Sequence, residues 1–538
     1  MEDSGLQFDF SYAPGTTFEQ MVAFETAGEL WSKYLTDNMT VNIHVEMTNA
    51  LPDNVIGGAL PAIEADISYA RFRDAYEADI TSTYDRQYFD SLSLSTTGGI
   101  EQFDALIDIG LGATRQSSST IDMTRANAKA LGLVSQHSSD LDGYILMNDL
   151  SNSSVDWRFE TYVGQGGDYS GLDYFSVAVH EIGHVLGFVS GVDGYDPVKF
   201  NSWTEAGQYY NGDWSQYHQY KENVVDGAMP LDMFRYSQRS LDISYNFNTI
   251  DLSVGSNSYF GAGELKYQLA TGKDTSVSGD GFQASHWKEK RQAGEITHIG
   301  IMDPLMSKGS GRFATDRDMR AMDVIGYDLT SYGKNILSIA DHNGYTKQLT
   351  EDNYELEIEA KEHMAQSMTS NLDAPDWWVD WWMDNKPEYA DQYINRDRTE
   401  DLQEMIEQSV VYERRSTARM ASGSGYTQEG FWQSAYFSEF SWQEFHEEAS
   451  VDLKPKTVLF VDNNFVSSQL AANESTANYD EITQHQTKIT TVAIDLLVLT
   501  EAEDSVKTVS TDLEIELPTQ FNLYQEQLGE FNHVMTLG

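Results

Sequence analysis

Apolar residues recur at three- and four-residue steps in the first part of the chain that has a clear period. Between positions 18 and 35 these residues are Met21, Phe24, Ala27, Trp31, Tyr34 and Leu35. This spacing is typical of an amphipathic helix. The next segment, 39–45, alternates and is rich in β-branched residues, which predicts a strand with one buried face. Residues 60–93 again have helical spacing, and residues 144–147 predict another short strand.

The pattern changes in the middle of the chain. A glycine-rich loop precedes a helix that we predict from about residue 174 to 186. Residues 190–285 are rich in Gly, Asn, Ser, Asp and Tyr and have weak periodicity, and such a long irregular stretch is typical of a functional insertion. Helical spacing returns at 315–325, where Gly326 follows in the position of a C-cap.

The C-terminal part differs in composition. Residues 350–450 are acidic and rich in Trp, including the group at 377–382. That group fits either a carbohydrate or partner surface or, as we favour, packing against the rest of the chain. The pattern beyond residue 457 predicts β-strands at 458–461, 489–499 and 506–517.

Composition narrows the classes of function. A chain of 538 residues is expected to form two or three domains. The formal net charge of −51 argues against nucleic acid or an anionic membrane surface as partner, because like charges repel. The absence of cysteine excludes disulfides, cysteine zinc ligands, a cysteine nucleophile and a propeptide that blocks a metal with a thiolate. No apolar run of about 20 residues is present, so we expect no membrane span.

In one segment, 179–188, the spacing of two histidines and a glutamate indicates a specific chemistry. In a helix, residues four apart lie on the same face, so His180 and His184 can place imidazole nitrogens on one zinc ion. Glu181 lies beside the first ligand, where it can take a proton from a water that zinc acidifies. The alternative is that two histidines merely share a buried helix, but the position behind a strand and loop and the following Gly187 favour a metal site.

A catalytic zinc usually has three protein ligands, so a third is expected elsewhere. The segment from His180 to Gly187 resembles the metzincins, whose longer motif HExxHxxGxxH uses the glycine to end the helix and to bring a third histidine to the metal. This sequence departs from that motif at position 190, which is Ser. In the leishmanolysin-like branch, the third histidine follows a long insertion, shortly before a methionine turn. Segments 284–288 and 300–304 resemble that arrangement, which implies His286 as third ligand and Met302 beneath the metal.

The resemblance extends over 16–330, about 60% of the chain. Over this stretch the sequence is similar to exported bacterial, notably cyanobacterial, HExxH metalloproteases. The matching segments are 23–37, 125–132, 180–191, 285–287, 301–304 and 323–327. The first residues lack the basic and apolar regions of a signal peptide, which leaves a cytoplasmic protein or the mature form of an exported one. The resemblance implies export, so we expect a secreted, periplasmic or cell-surface protein.

Two other residues compete with His286 for the role of third ligand. Glu205 lies 21 positions beyond His184, about where thermolysin-like enzymes carry a glutamate ligand. Its surroundings have a weak helical pattern, however, and Gly187 would then be unexplained. His298 is the second competitor, because it lies close to Met302 in the sequence.

The expected fold class is α+β with a zincin or metzincin-like catalytic domain. An N-terminal subdomain would contain a twisted sheet, a backing helix and the active-site helix, and a smaller C-terminal subdomain would supply His286 and Met302. The predicted domains are 1–335, the catalytic domain (1–189 N-terminal subdomain, 190–285 insertion, 286–335 C-terminal subdomain with the methionine turn), 336–450, mainly helical, and 451–538, β-rich.

The expected function is that of an endopeptidase with one catalytic zinc ion, acting on proteins or peptides. A non-catalytic binding or surface-associated protein on the same scaffold, and a zinc hydrolase with a non-peptide substrate, are the alternatives. The resemblance implies that an extended substrate binds along the edge of strand 144–147. The turn 193–196 fits calcium, although we favour a solvated acidic turn there.

Overall fold

The structure, a computed structural model, describes the greater part of the first 337 residues and short pieces beyond them. The described residues are 5–13, 15–49, 51–52, 54–159, 171–195, 198–241, 249–261, 266–293, 299–337, 353, 355–361, 364 and 405, with the backbone of 438–442, 495–498 and 507–510.

Helices and several separate sheets occur in this part of the chain, so the fold class is mixed α+β, as predicted. The helices are α1 Phe18–Tyr34, α2 Tyr69–Ala78, α3 Thr83–Ser91, α4 Arg125–Ala130, α5 Tyr174–Val185, α6 Trp203–Tyr209, α7 Trp214–Asp226, α8 Lys290–Ala293, α9 Asp316–Ile325 and α10 Ser331–Ile336. The strands are β1 Gln7–Tyr12, β2 Thr40–Thr48, β3 Val55–Pro61, β4 Ile63–Ser68, β5 Ser95–Thr97, β6 Ile100–Ile107, β7 Thr114–Ser118, β8 Thr120–Thr124, β9 Gly143–Asn148, β10 Trp157–Arg158, β11 Leu172–Asp173, β12 Arg235–Ser237, β13 Ile250–Asp251, β14 Ser258–Phe260, β15 Tyr267–Gln268, β16 Leu305–Met306, β17 Ser438–Trp442, β18 Asp495–Val498 and β19 Lys507–Ser510.

The first predicted helix is confirmed as α1. Thr17 begins it with a capping box, since its side chain accepts from the backbone N–H of Gln20 and the Gln20 side chain accepts in return. The buried face of α1 packs against α5, and the indole N–H of Trp31 donates to the carbonyl of Val179 at 3.0 Å. The backing helix therefore fixes the position of the helix that carries the two motif histidines.

The central sheet has the strand order β1-β2-β9-β3-β17-β16. Strands β1, β2 and β9 are parallel, whereas β3 is antiparallel to β9. Strand β17 pairs antiparallel with β3 and parallel with β16. Smaller sheets are formed by β4-β8, by β10-β11, by β12-β14-β15 and by the group β5, β6, β7 and β13.

Strand β2 confirms the prediction for 39–45, but its second face is buried as well. Val41, Ile43 and Val45 belong to the main core. On the other face His44 is buried, its Nδ1 hydrogen-bonded to Ser11 Oγ at 2.9 Å. Parallel strands are usually covered on both faces, which explains the departure from a one-sided pattern.

Strand β9 confirms the strand predicted at 144–147, but the prediction that a substrate binds along its edge is wrong. Both edges of β9 are occupied, by β2 on one side and β3 on the other. A peptide cannot add to a strand that already has two neighbours. Within the part of this sheet built from residues before 150, the outer strands are β1 and β3, and β3 is the one next to β9.

Two secondary-structure predictions need correction. Residues 60–93 begin with the end of β3 and all of β4, so helix is found only at α2 and α3. Residues 190–285 are not irregular throughout, because they contain α6, α7 and the three-stranded sheet β12-β14-β15. The helix predicted at 315–325 is confirmed as α9, which ends at Gly326 with φ of 109°.

The chain divides into two compact units, Met1–Glu444 and Phe445–Gly538. In the second unit β18 and β19 form an antiparallel pair, at positions where strands were predicted. The strand predicted at 458–461, the Trp group at 377–382 and most of region 336–450 lie outside the described residues, so the finer division into domains stays a prediction. Nowhere in the described part of the chain is there a helix with the length and apolar character that crossing a membrane requires.

Candidate metal centre

Helix α5 presents the two motif histidines from inside the core, since all of its residues are buried. The helix ends just before Gly187, whose φ of 120° lies in a region that L side chains rarely adopt. A Cβ at this position would also lie 3.2 Å from the Cβ of Asn127. Gly187 therefore allows the chain to turn sharply directly after the second histidine, as the motif predicts.

Three histidine side chains converge beside this helix end. His180, His184 and His286 form a fully buried group whose nitrogen atoms lie within 4.8 Å of one another, close enough to hold a metal ion. Their ring centroids are separated by 4.7, 4.9 and 5.2 Å. The structure thus brings His286 to the motif histidines across more than one hundred residues of sequence.

Backbone carbonyls orient all three imidazole rings. Nδ1 of His180 bonds to the carbonyl of Ile301 at 2.7 Å, Nδ1 of His184 to that of Phe188 at 2.8 Å, and Nδ1 of His286 to that of Gln283 at 3.2 Å. A carbonyl can only accept, so each Nδ1 carries the proton and each Nε2 keeps a lone pair. This is the tautomer in which Nε2 binds a metal.

The electrostatics of the group fit a cation. Nε2 of His180 and Nε2 of His184 lie 3.0 Å apart, and two lone pairs at this distance repel unless a positive charge lies between them. Nε2 of His286 is buried and has no hydrogen-bond partner within the described residues. Burial, with His184 and His286 nearby, lowers the pKa of His180 well below its ordinary value. Burial likewise lowers the pKa of His184 to about 4 and, with His184 beside it, the pKa of His286.

The loop that carries His286 is tied to the end of α5 by Asp193. The Asp193 carboxylate accepts from the backbone N–H groups of Ala284 and Ser285, both at 2.7 Å, and from Ser285 Oγ at 2.6 Å. Ser285 Oγ in turn accepts from the N–H of Ser190 at 3.0 Å. In the metzincin motif, position 190 is the third ligand. Here the residue at this position hydrogen-bonds instead to Ser285, the neighbour of His286. The expectation of a solvated or calcium-binding turn at 193–196 is wrong for Asp193, since that carboxylate is directed inward; Asp196 lies outside the described residues.

Met302 lies beneath the helix turn between the two motif histidines. The side chain is fully buried, and a Cβ on Gly183 would come within 2.5 Å of its sulfur. The turn around Met302 is held by Asp318 of α9, whose carboxylate accepts from the N–H of Ile301 and from the indole N–H of Trp287, both at 2.8 Å. One buried carboxylate therefore connects the methionine turn with the segment that carries His286.

Glu181 is fully buried and points toward strand β3. A Cβ on Gly57 would lie 2.8 Å from Glu181 Oε1 and 2.9 Å from Val177 Cγ1. Residue 57 must therefore be small for the carboxylate to occupy this position. Sequence reasoning missed Gly57 and Asp318 and gave Asp193 a different role, because each acts on a ligand or base that is distant along the chain.

The two residues that compete with His286 for the role of third ligand differ in what the structure says about them. Glu205 is exposed on α6, where its carboxylate accepts from the N–H of Asn201 at 2.8 Å, and it is not part of the histidine group. His298 lies outside the described residues.

Tyr327 is the last residue of segment 323–327, which resembles the metalloproteases. Its hydroxyl donates to the carbonyl of Leu186 at 2.6 Å and so anchors the end of α5.

Comparison with known proteins found no match: no protein-family model, no curated protein and no solved structure matches the chain.

Proposed function

We propose that the chain is a zinc-dependent endopeptidase with a metzincin-like catalytic domain. The observation that carries the proposal is the buried group His180, His184 and His286, in which every Nδ1 is bonded to a carbonyl and the Nε2 atoms of the two motif histidines lie 3.0 Å apart. A set of three imidazole ligands is typical of catalytic zinc.

The remaining residues support a hydrolytic role. Zinc, when bound, would polarise the scissile carbonyl and lower the pKa of water. Glu181 is one helix position from the first ligand and is held against β3, where its carboxylate would take the proton of the attacking water and pass it to the leaving amine. A purely structural metal site has no need of a carboxylate at this position.

The fold supports the metzincin-like part of the proposal in three places. Gly187 turns the chain directly after the second histidine, Met302 underlies the helix between the histidines, and Ser190 binds the loop that bears the distant third histidine. The proposed location outside the cytoplasm rests on the resemblance of segments within 16–330 to exported metalloproteases.

The test is hydrolysis of denatured, fluorescently labelled casein by purified natural chain, Glu181→Gln and Glu205→Gln, each with and without a strong chelator. We expect Glu181→Gln to bind zinc normally and to lose roughly 10²- to 10⁴-fold in rate, the usual contribution of a general base. Glu205→Gln, an exposed carboxylate, controls for the loss of one charge and should match the natural chain. Equal hydrolysis by all three proteins, or hydrolysis that resists the chelator, would exclude the proposed role of Glu181 or of the metal.

A further inference from the structure

The outer strand beside the metal centre is already occupied by another segment of the same chain. Strand β17 pairs antiparallel with β3, with Ser438 opposite Ala59, Glu439 opposite Gly58 and Phe440 opposite Gly57. The register then shifts, so that Ser441 lies opposite Val55. Strand β3 pairs with β9 on one side. Its other side, which would otherwise be an open edge, is paired with a segment that is distant along the chain.

The other side of β17 is held as well. It pairs in parallel with β16, with Leu305 opposite Ser441 and Met306 opposite Trp442. Strand β16 begins three positions after Met302, so it forms part of the C-terminal side of the site. Strand β17 therefore connects the two walls of the site, β3 from the N-terminal side and β16 from the methionine turn.

This path passes next to the proposed general base. Gly57, which faces Phe440 in the pairing, is the residue against which Glu181 Oε1 lies. Strand β17 also lies close to α5, the helix that bears both motif histidines. An extended segment with strand neighbours on both sides, beside a catalytic carboxylate, has the geometry in which proteins bind peptides by strand addition.

We propose that Ser438–Trp442 occupies the substrate path and keeps the chain latent, so that an extended peptide reaches the metal centre only when β17 leaves β3. This inference rests on the proposed function. The chain contains no cysteine, so a thiolate cannot block the metal here. Backbone pairing by a segment of the same chain blocks access without any metal ligand.

Covalent connection makes such a block effective. A tethered segment competes with substrate intramolecularly, at an effective concentration that the connecting chain sets. A protein substrate at micromolar concentration competes poorly with it, which predicts a low basal rate set by transient opening of β17. Local opening of one strand costs less than global unfolding, so that basal rate is measurable over long incubation.

The first test removes the pairing with two prolines. Consecutive N–H groups of a strand point to opposite edges, so Glu439→Pro with Phe440→Pro deletes one donor toward β3 and one toward β16. We expect casein hydrolysis at least tenfold faster than in the natural chain, and faster hydrogen exchange at residues 55–61. Glu439→Thr with Phe440→Val is the matched control, since both N–H groups remain, and should stay within about threefold of the natural chain.

A second test does not depend on how the proline variant folds. Glu439 and Gly58 are direct partners in the pairing, so cysteines at both positions are within disulfide distance, and the chain has no other cysteine to interfere. Gly58 also faces away from Glu181, because alternate residues of a strand face opposite sides. We expect Gly58→Cys with Glu439→Cys to lose at least tenfold in hydrolysis when oxidised and to recover with a non-chelating phosphine reductant, whereas each single variant is unaffected.

Several outcomes would overturn the inference. In the proline variant, these are hydrolysis equal to that of the natural chain and unchanged hydrogen exchange at residues 55–61. In the oxidised cysteine variant, it is full hydrolytic activity. In the natural chain, it is a cut within 438–442, detected by intact mass. Failure of the proposed function would look different: a folded, zinc-bound proline variant that hydrolyses nothing, or one that hydrolyses equally well after Glu181→Gln.

Discussion

Gly57→Ala is the substitution that tests the position of the general base most sensitively. The added Cβ would lie 2.8 Å from Glu181 Oε1, 2.9 Å from Val177 Cγ1 and 3.3 Å from Met147 Sδ. Ordinary contact begins near 3.4 Å, so the carboxylate has to move by about 3.4 − 2.8 = 0.6 Å. The carboxylate is the end of a flexible side chain and moves more easily than the helix backbone.

The expected cost divides between stability and rate. Overpacking a core contact costs about 1–3 kcal/mol, and replacement of a glycine recovers roughly 0.4–1 kcal/mol through the unfolded chain, so a net loss of up to about 2.6 kcal/mol is expected. A displacement of about 1 Å in an active site costs roughly 100-fold in rate, and a shift of about half that size should cost 10- to 50-fold. Zinc content should not change, because the three atoms nearest to the added Cβ belong to Glu181, Val177 and Met147 and not to a histidine of the group.

The assay measures kcat/KM on casein-derived peptide, zinc per chain and the urea midpoint, in the natural chain and in the Glu439→Pro, Phe440→Pro background. Gly207→Ala is the control, since its Cβ would meet only the Trp214 ring at 3.5 Å, an ordinary contact. A Gly57→Ala protein with unchanged kcat/KM would show that Glu181 does not lie against β3 while it acts. Lost zinc would show that the effect reaches the metal ligands and not the base.

Two further predictions concern buried carboxylates whose structural role the sequence did not predict. Asp193→Asn removes the charged acceptor for the N–H groups of Ala284 and Ser285, so zinc affinity measured by chelator competition should fall roughly 10- to 100-fold, whereas Asp274→Asn on the surface should leave it unchanged. Burial, with Asp328 nearby, raises the pKa of Asp37 from 3.8 to about 7, so the folded chain retains a proton that the unfolded chain loses. Stability should therefore fall as pH rises from about 4 to about 7, by up to about 4 kcal/mol from this group. Asp37→Asn should flatten that slope in urea titrations at several pH values, and an unchanged slope would assign it to neighbours such as Asp79.

The sequence predicted the elements whose signals are local. Helix α1 has a clear period and a capping box, α9 ends at a glycine in the left-handed region, and α5 carries His180 and His184 one turn apart. In each case the information lies within about one helix length. For the same reason, the sequence alone predicted that the two motif histidines lie on one face of a helix.

What the sequence did not predict depends on contacts between distant segments. Strand β3 contains Gly57, Gly58 and Pro61, residues that are rare in strands, and it is stabilised by neighbours on both sides. Asp193 is a turn residue by composition, and only the fold brings the His286 loop onto its carboxylate. The position of His286 came from resemblance to a family and not from spacing, since no local rule connects it to His184.

The most direct test of the central claim is zinc per chain, measured by elemental mass spectrometry after equilibration with a limiting chelator, for the natural chain, His286→Ala and His137→Ala. His137 is exposed and lies outside the histidine group, so its variant controls for the loss of one imidazole. We predict close to one zinc in the natural chain and in His137→Ala, and a marked loss in His286→Ala. Full zinc retention in His286→Ala, or no zinc in a folded and metal-supplemented natural chain, would contradict the three-histidine centre.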